Sequence, residues 1–355
     1  MQNGQNPREW SSDQQKNLPG LDKLTEKCFK DLGQNTFVIQ NLRYSATNNK
    51  AEAFTYLHPV TEGRNLVEEI LTFSNSASMK DDKGKRKLSI FLGLDFQQQL
   101  VDHIGSMSDN EISTKLIGQI DDDVKLADNI ATRFGKNKFD GWYLPIEIPN
   151  FKSWKNNKTI ISAFNLYLQK VSAECSRLKP DAPIAVSPYF NIEQLNAADT
   201  AELVKEITAN TKVNTLMVQD SVTFGQGGSR SDRLKAVPEY FAMIKKANPH
   251  MNLMAIVEVG SAATIEGVGE QLCAQRNTGA VKRLAFDIHH NMNPLMPDGT
   301  TSGGNNLANT PFSQREGLYK AYLSAVKNNK LKCSVAQAAA PQSHPTGRLR
   351  NRNNH

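Results

Sequence analysis

The sequence has no apolar run long enough to cross a membrane, and its first ten residues, MQNGQNPREW, contain no basic-plus-apolar signal region. It also lacks a stripe of basic residues with interleaved aromatics, the pattern that a nucleic-acid interface requires. From these absences we expect a soluble protein that spans no membrane, binds no nucleic acid and, in this form, is not a substrate of the general secretion pathway. The compartment itself stays unassigned.

Cysteine is scarce, and its spacing carries no metal signature. The four cysteines, Cys28, Cys175, Cys273 and Cys333, lie far apart in the chain. Zinc sites and small disulfide frameworks instead place cysteines at short, regular spacings. We therefore expect each helical cysteine to be a small core residue rather than a ligand or a disulfide partner. This usage fits a reducing compartment without excluding others.

The positive charge of the chain is modest. The formal net charge is +6 at pH 7, and part of it comes from the C-terminal cluster Arg348, Arg350 and Arg352. The run KDDKGKRK at residues 80–87 is interrupted by acids and precedes an apolar segment. This pattern is typical of a solvated loop, and phosphate binding there is the less favoured alternative.

Apolar segments of strand length alternate with amphipathic helical segments along the chain. Hydrophobic residues make up 39% and charged residues 22% of the composition, which suits a globular domain with a sizeable core. Alternation of this kind indicates a parallel sheet covered by helices. The predicted strands are Thr36–Gln40, Lys87–Asp95, Phe139–Glu147, Pro183–Phe190, Val213–Asp220, Asn252–Val259 and Arg283–His290.

These strands are one short of an α/β fold of the (β/α)8 TIM-barrel type. The first predicted element is a helix over 18–33, so the missing first strand would have to precede it, and we expect it to be absent or weak. An open, doubly wound sheet is the alternative, because such a sheet can have seven strands. On the barrel interpretation, a single barrel domain covers 1–333. A basic tail over 334–355 lacks a core pattern and should be disordered.

The stretch FDGWYLPIEIPN at residues 139–150 places a carboxylate where a buried strand ends. Pro145 and Pro149 cannot donate to a sheet ladder, so pairing should stop near them. On this stretch alone, Glu147 would be an ordinary solvated carboxylate. If the visible strands are numbers two to eight, however, Glu147 leaves strand four and Glu258 leaves strand seven, at the barrel end where catalytic groups gather. Glycosidases need two such carboxylates across the bond that they cleave.

Short motifs in a fixed order carry a family resemblance: GWYLPIEI, SPYF, MVQD, IVEV and FDIHH. From about Trp10 to about Tyr322, the chain resembles a bacterial family of glycosidase-like TIM barrels catalogued as domain of unknown function 4434. The large clan of retaining glycosidases places its acid/base and its nucleophile on strands four and seven. The resemblance therefore implies Glu147 as proton donor and Glu258 as nucleophile. The chain departs from the family in its first strand and in the export signal that members commonly carry.

Polar and aromatic residues at strand exits are predicted to contact a sugar. Such sites combine hydrogen-bonding groups for hydroxyls with flat rings for apolar sugar faces. The candidate substrate-binding residues are Gln40, Tyr44, Asp95, Tyr143, Tyr189, Asn191, Gln219, Asp220, Asp287 and His289. Trp154 and Phe224 could add aromatic faces, whereas Trp142 is better explained as core. Asp220 is the alternative to Glu258 as the second acid.

Other motifs suggest other chemistry, and each has a simpler explanation. Strand alternation places Asp287 and His289 on one face, as a metal site would need, but histidines at a strand end more often serve hydrogen bonding or sugar contact. The loop FGQGGS at 224–229 lacks the lysine and hydroxyl of a phosphate loop. Ser187 lacks the flanking glycines of a nucleophile elbow. We predict neither a metal nor a cofactor.

The favoured hypothesis is a glycoside hydrolase that cleaves a polysaccharide or oligosaccharide with retention. The alternative from another class is a non-catalytic carbohydrate-binding barrel, which a wall with a missing strand would favour. An aldolase- or phosphosugar-type enzyme lacks support, because no predicted strand ends in a lysine placed for a Schiff base.

Overall fold

The residues that the computed structural model describes are 21–32, 34–40, 42–45, 54–55, 65–223, 227–258, 264–276, 278–286, 320–325 and 327–328. No helix within these ranges is long and apolar enough to cross a membrane. The predicted tail over 334–355 lies outside them, so the division into one barrel domain and a tail stays a prediction.

All the predicted barrel strands form, and they pair in chain order. The strands are β1 (Thr36–Ile39), β2 (Arg43–Ser45), β3 (Phe54–Thr55), β4 (Ser89–Gly93), β5 (Asp95–Gln97), β6 (Gly141–Ile148), β7 (Ile184–Pro188), β8 (Thr215–Gln219), β9 (Asn252–Glu258) and β10 (Lys282–Phe286). Seven of them form one sheet in the order β1-β4-β6-β7-β8-β9-β10. Every pair in this sheet is parallel.

Helices precede and separate the strands of this sheet. They are α1 (Leu21–Leu32), α2 (Leu66–Asn75), α3 (Gln98–His103), α4 (Asp109–Ile130), α5 (Lys158–Leu178), α6 (Ala197–Thr208), α7 (Arg230–Ala247) and α8 (Ile265–Ala274). Local sequence explains where the longer ones begin. Capping boxes formed by Ser108 with Glu111 and by Ser229 with Asp232 open α4 and α7, and they satisfy amides that have no partner within the helix.

The sheet curls into a nearly closed barrel. A side chain links its first and last strands, because Lys282 Nζ on β10 donates to Thr36 Oγ1 on β1 at 2.5 Å. Among the described residues no strand precedes α1, so this seam lies where an eighth strand would complete the wall. The prediction of a TIM-barrel fold with a weak or missing first strand is confirmed.

Strand alternation divides the buried side chains into two layers. A larger cluster fills the space between sheet and helices. The smaller one takes a residue from every barrel strand and fills the interior: Val38, Phe91, Tyr143, Ala185, Met217, Met254, Ile256 and Leu284. Because successive side chains point to opposite faces, the next inward positions are two residues further along. Toward the carboxyl ends of β1, β7, β8 and β9, these are Gln40, Ser187, Gln219 and Glu258.

A small second sheet, ordered β3-β2-β5, was missed by the strand pattern. Its strands are only two or three residues long, too short to show periodicity. The sheet lies beside the end of β4, because β5 begins two residues after β4 and the Leu42 amide donates to the Gly93 carbonyl of β4 at 3.0 Å. Within the small sheet, Arg43 Nη2 lies 2.9 Å from Asp95 Oδ2. The small sheet therefore forms part of the rim of the barrel mouth.

Two buried tryptophans resolve predictions about aromatic faces. Trp142 is fully buried and lies edge-on to Phe139, with ring centroids 4.8 Å apart, so its interpretation as core is confirmed. Trp154 is also buried, between the rings of Phe151 and Phe164. The suggestion that Trp154 offers a face to a sugar is therefore wrong, because apolar neighbours already cover its ring.

The cysteines need a correction. Cys28 and Cys175 are buried and form no disulfide, as expected, but Cys273 in α8 forms a disulfide. The remaining cysteine, Cys333, lies outside the described residues. The expectation that no cysteine is a disulfide partner is thus wrong for Cys273, because wide spacing in the chain does not prevent contact in the fold. Since disulfides persist mainly in oxidising environments, the argument for a reducing compartment loses its basis.

Candidate active site

Glu147 leaves the barrel wall at an irregular point of β6. The pairing of β6 with β7 is regular up to Leu144, opposite Val186, and it resumes with Glu147 opposite Ser187. Pro145 lies in the interruption and has no amide hydrogen for the ladder. The proline thus interrupts the pairing without ending the strand. Such bulges re-aim side chains next to active sites, and here the partly exposed Glu147 follows one directly.

Gln219 connects Glu147 to the neighbouring strands. Its Nε2 donates to Glu147 Oε1 at 2.8 Å and lies 3.3 Å from Ser187 Oγ. The Ser187 hydroxyl in turn donates to the Met217 carbonyl at 2.8 Å. Gln219 and Ser187 occupy inward-facing positions, so their contacts place the Glu147 carboxylate at the inner side of the mouth.

Two tyrosines share the electrostatic field of Glu147. Burial raises the pKa of the Tyr143 phenol, and the negative charge of Glu147 raises it further, against a lowering by a hydrogen bond with Ser187. The pKa of Tyr189 is raised by burial first and then by Glu147. Both phenols therefore stay protonated at neutral pH, and each can donate a hydrogen bond near this carboxylate.

Glu258 is the last residue of β9, and it is only 2% exposed. Its Oε2 accepts a hydrogen bond from the Thr223 amide at 3.1 Å. Its backbone carbonyl accepts from Thr223 Oγ1 at 2.6 Å and from Gln271 Nε2 at 2.9 Å. The side chain is thus fixed at an inward-facing position, with a backbone donor directed at one carboxylate oxygen.

The two predicted carboxylates occupy the same end of the barrel. Glu147 on β6 and Glu258 on β9 are separated in the sheet by β7 and β8. Between them stands Gln219, which bonds Glu147 and is paired in register with Ile256, two residues before Glu258. The structure thus brings the predicted acid/base and the predicted nucleophile to one mouth, with the Gln219 amide bonded to the first of them.

A cleft adjoins Glu147 and Tyr189 and runs toward α3 and α4. Asp95 and Gln97 line its polar side. Asp95 is buried, and its Oδ2 accepts from the side chains of Arg43, Gln97 and Gln119. This predicted sugar-binding residue therefore reaches the cleft as part of a bonded network.

Below this network lies a carboxyl group that sequence reasoning missed. Asp123 in α4 is fully buried, and its Oδ2 accepts a hydrogen bond from the Tyr167 hydroxyl of α5 at 2.7 Å. Burial, and then repulsion from Asp95, raise the pKa of Asp123 to about 7. An acidic residue on the apolar face of a predicted helix is a signal that could have found it.

Hydrogen bonds within the protein occupy the side chains of Asp220 and Asn191. Asp220 is fully buried, and its two oxygens accept hydrogen bonds from Val222, Glu258, Gln271 and Gln275. The Asn191 Oδ1 accepts from the Glu193 amide at 2.8 Å, while the Asn191 backbone is bonded by Asn150. Neither side chain is brought into the group around Glu147.

The remaining predicted binding residues differ in what the structure shows of them. Gln40 is half-buried at the end of β1. Tyr44 belongs to β2 and pairs with Phe54 and Phe96. Asp287 and His289 lie outside the described residues, as does the proposed aromatic contact Phe224. Within the part of the chain that is described, no group of His, Cys, Asp and Glu could hold a metal ion.

The glycine-rich loop is described at its second half only. Gly227 and Gly228 both have left-handed φ angles, +85° and +59°, which glycine adopts readily. The Gly228 amide donates to the Glu193 carboxylate at 2.8 Å. This amide, which a phosphate would need, is already bonded to an anion of the protein.

Comparison with solved structures defines the class of fold. The chain is similar to a protein described as a "putative alpha-L-fucosidase" from Bacteroides thetaiotaomicron VPI-5482, with a TM-score of 0.60 and 16% identity over 90% of this chain and 88% of that chain. More distant are a monomeric beta-xylosidase from Caulobacter crescentus CB15 (TM-score 0.47, 12% identity, 87% and 64% covered) and an endo-1,4-beta-mannanase from Eisenia fetida (0.40, 10%, 84% and 82%). The likeness to the first of these structures shows a shared TIM-barrel fold.

A match to a family model assigns the chain to a protein family. The model described as "Domain of unknown function (DUF4434)" matches residues 9–299. The chain belongs to this family, as its motifs predict. No curated protein matches the sequence.

Proposed function

We propose that the protein is a glycoside hydrolase that cleaves a polysaccharide or oligosaccharide with retention of anomeric configuration, with Glu147 as acid/base and Glu258 as nucleophile. One observation carries the proposal. Both carboxylates stand at the carboxyl-terminal end of a TIM barrel, on strands separated by two others, with Gln219 between them. Catalytic groups of this fold gather at that end.

The reaction uses each carboxyl group in a different state. In the first step, the Glu258 carboxylate attacks the anomeric carbon while protonated Glu147 gives its proton to the departing glycosidic oxygen. A covalent glycosyl ester of Glu258 results. In the second step, Glu147 takes a proton from water, the water oxygen attacks the anomeric carbon, and the bond to Glu258 breaks.

The surroundings of the two residues support this assignment. A hydrogen bond from the Thr223 amide to Glu258 Oε2 favours the ionised form that a nucleophile needs. Glu147 is more exposed than Glu258 and borders the cleft, where protons can exchange with water between the two steps. The protonated phenol of the partly exposed Tyr189 adds a donor for a sugar hydroxyl beside it.

A non-catalytic carbohydrate-binding barrel is the second candidate. It is favoured by the low exposure of Glu258, 2%, since a nucleophile must be reached by the sugar. On this alternative the cleft beside Glu147 and Tyr189 would hold a saccharide without turnover.

The test uses a panel of 4-nitrophenyl glycosides and soluble polysaccharides with wild-type protein, Glu147→Gln and Glu258→Gln. We expect each substitution to lower kcat at least about 100-fold, with an unchanged thermal midpoint. Glu239→Gln, at an exposed position of α7, is the matched control and should keep full activity. Proton NMR of the first-formed product should show retained configuration.

Full activity in both active-site variants would exclude the assignment. Saccharide binding by calorimetry without turnover of any substrate in the panel would instead favour the binding barrel.

A further inference from the structure

The residues after β8 form a tight turn against the end of β9. Ser221 has a φ of +54°, a left-handed conformation that is uncommon for a residue with a Cβ. Hydrogen bonds on both sides of it stabilise this conformation. Asp220 Oδ1 accepts from the Val222 amide at 3.2 Å, which closes an Asx-turn. Ser221 Oγ accepts from the Phe190 amide at 3.1 Å. Strained backbone held in this way is often found at functional sites.

The turn directs Thr223 onto the proposed nucleophile. The Thr223 amide donates to Glu258 Oε2, and the Thr223 hydroxyl donates to the Glu258 carbonyl. Arg233 of α7 supports the same turn, since its guanidinium donates twice to the Val222 carbonyl, at 3.0 and 3.1 Å. The position of the Glu258 carboxylate therefore depends on the shape of this turn.

The other oxygen of Asp220 joins the turn to α8. Asp220 Oδ2 accepts from the Nε2 atoms of Gln271 and Gln275, both at 3.0 Å. Gln271 Nε2 also bonds the Glu258 carbonyl at 2.9 Å, and Gln275 Nε2 bonds the Ile256 carbonyl at 3.2 Å. All of these partners are donors, so they favour the ionised carboxylate, whereas burial opposes it and raises the pKa of Asp220 to about 7.

We propose that Asp220 is a positioning residue for Glu258, which it serves by fixing the turn that places the Thr223 amide on the Glu258 carboxylate. The role rests on the proposed glycosidase reaction, because it concerns the nucleophile of that reaction. Asp220 is fully buried, so it acts from behind the mouth and not by contact with the sugar.

Loss of this support has a defined chemical consequence. A hydrogen bond donated to a carboxylate stabilises the ionised form, so removing the Thr223 bond should raise the pKa of Glu258. The charged groups attached to the turn are Asp220 itself and Arg233, and Glu147 faces the same mouth. Asp220→Asn retains the shape but turns an amide NH2 toward Gln271 and Gln275, both of which are donors.

The deciding experiment measures the titration of Glu258 without any substrate. Protein labelled with 13C at the glutamate carboxyl is titrated by NMR, and the Glu258 resonance is assigned by its loss in Glu258→Gln. In Asp220→Asn, removal of the negative charge beside Glu258 by itself lowers the pKa of Glu258, whereas loss of the Thr223 hydrogen bond raises it; we expect the second effect to prevail, with a net rise of about 0.5 to 1 unit. Asp181→Asn is the control, because Asp181 is exposed and has a φ of +63° that asparagine also tolerates.

A second variant covers the case in which Asp220→Asn fails to fold. Gln271→Met keeps the side-chain length and removes the donor to Asp220 and to the Glu258 carbonyl. It should shift the Glu258 titration in the same direction. Because Gln271→Met changes no charge near Glu258, an unchanged or lowered Glu258 pKa in this folded variant would overturn the proposal.

Activity gives a separate readout. With a substrate from the panel above, Asp220→Asn should lower kcat with little change in KM, and the acid limb of the kcat/KM profile should move to higher pH. If the wild-type protein turns over no substrate, the proposed function fails, whereas the NMR titration still decides whether Asp220 positions Glu258.

Discussion

Replacing Asp123 by asparagine should change how the stability of the protein depends on pH. The carboxyl group lies at full burial between α4 and α5. Its Oδ2 accepts a hydrogen bond from the Tyr167 hydroxyl, and its Oδ1 has no hydrogen-bond partner among the described residues. Burial and repulsion from Asp95 raise the pKa from 3.8 to about 7, while Tyr167 and Arg43 oppose the rise.

The sign and the size follow from proton linkage. Between the two pKa values the folded state holds a proton that the unfolded state has lost. The unfolding free energy is therefore highest, as far as Asp123 is concerned, below about pH 4, and it falls as the pH rises to about 7. At about 1.4 kcal/mol per pKa unit, the rise corresponds to roughly 4 kcal/mol of unfolding free energy lost across this window. Asparagine keeps an acceptor for Tyr167 and does not titrate.

The assay is urea unfolding of wild-type protein and Asp123→Asn at a series of pH values from about 4 to about 8. We expect the unfolding free energy of Asp123→Asn to rise relative to that of the wild type by up to about 4 kcal/mol as the pH rises. Asp220, whose pKa burial also raises, titrates in both proteins and cancels in the difference. Asp121→Asn, exposed on the same helix, should follow the wild type. Parallel curves for wild type and Asp123→Asn would refute the reasoning.

Two further predictions concern the crosslink and the packing at the mouth. Denatured, unreduced protein should show two reactive thiols, Cys28 and Cys175, and all four cysteines only after reduction; four thiols before reduction would contradict a disulfide at Cys273. Gly93→Ala should lower the unfolding free energy by at least about 2 kcal/mol, because its Cβ would lie 1.8 Å from the Gln40 carbonyl oxygen. The control Gly118→Ala, in α4 with open space around it, should stabilise by up to about 1 kcal/mol, and equal urea midpoints for the two variants would contradict the clash.

The barrel could be predicted from the sequence because its strands are continuous apolar runs bounded by helical periodicity. Glu147 could be placed because prolines mark the irregular end of its strand. Asp220 shows where such reasoning stops. It follows Gln219 directly, so only one of the two can face inward, and the strand pattern alone does not say which. The structure turns Gln219 to the mouth and Asp220 to α8.

Networks that join distant helices are harder to foresee. Tyr167 meets Asp123 across 44 residues of chain, and Gln271 meets Asp220 across 51. Tyr167 in α5 and Gln271 in α8 resemble ordinary helix residues in the sequence, because packing between elements sets their partners. The short strands β2, β3 and β5 escape prediction for the same reason, since a neighbour and not a periodic pattern defines them.

The seam between Lys282 and Thr36 also has a consequence for synthesis. Every other contact between adjacent barrel strands joins elements that follow one another in the chain, so each pair can form as soon as its second strand leaves the ribosome. The seam joins residues 246 positions apart and must wait until β10 has emerged. Closure of the wall is therefore the final step of a process that otherwise advances from the amino terminus, and it is the step most delayed by chain entropy.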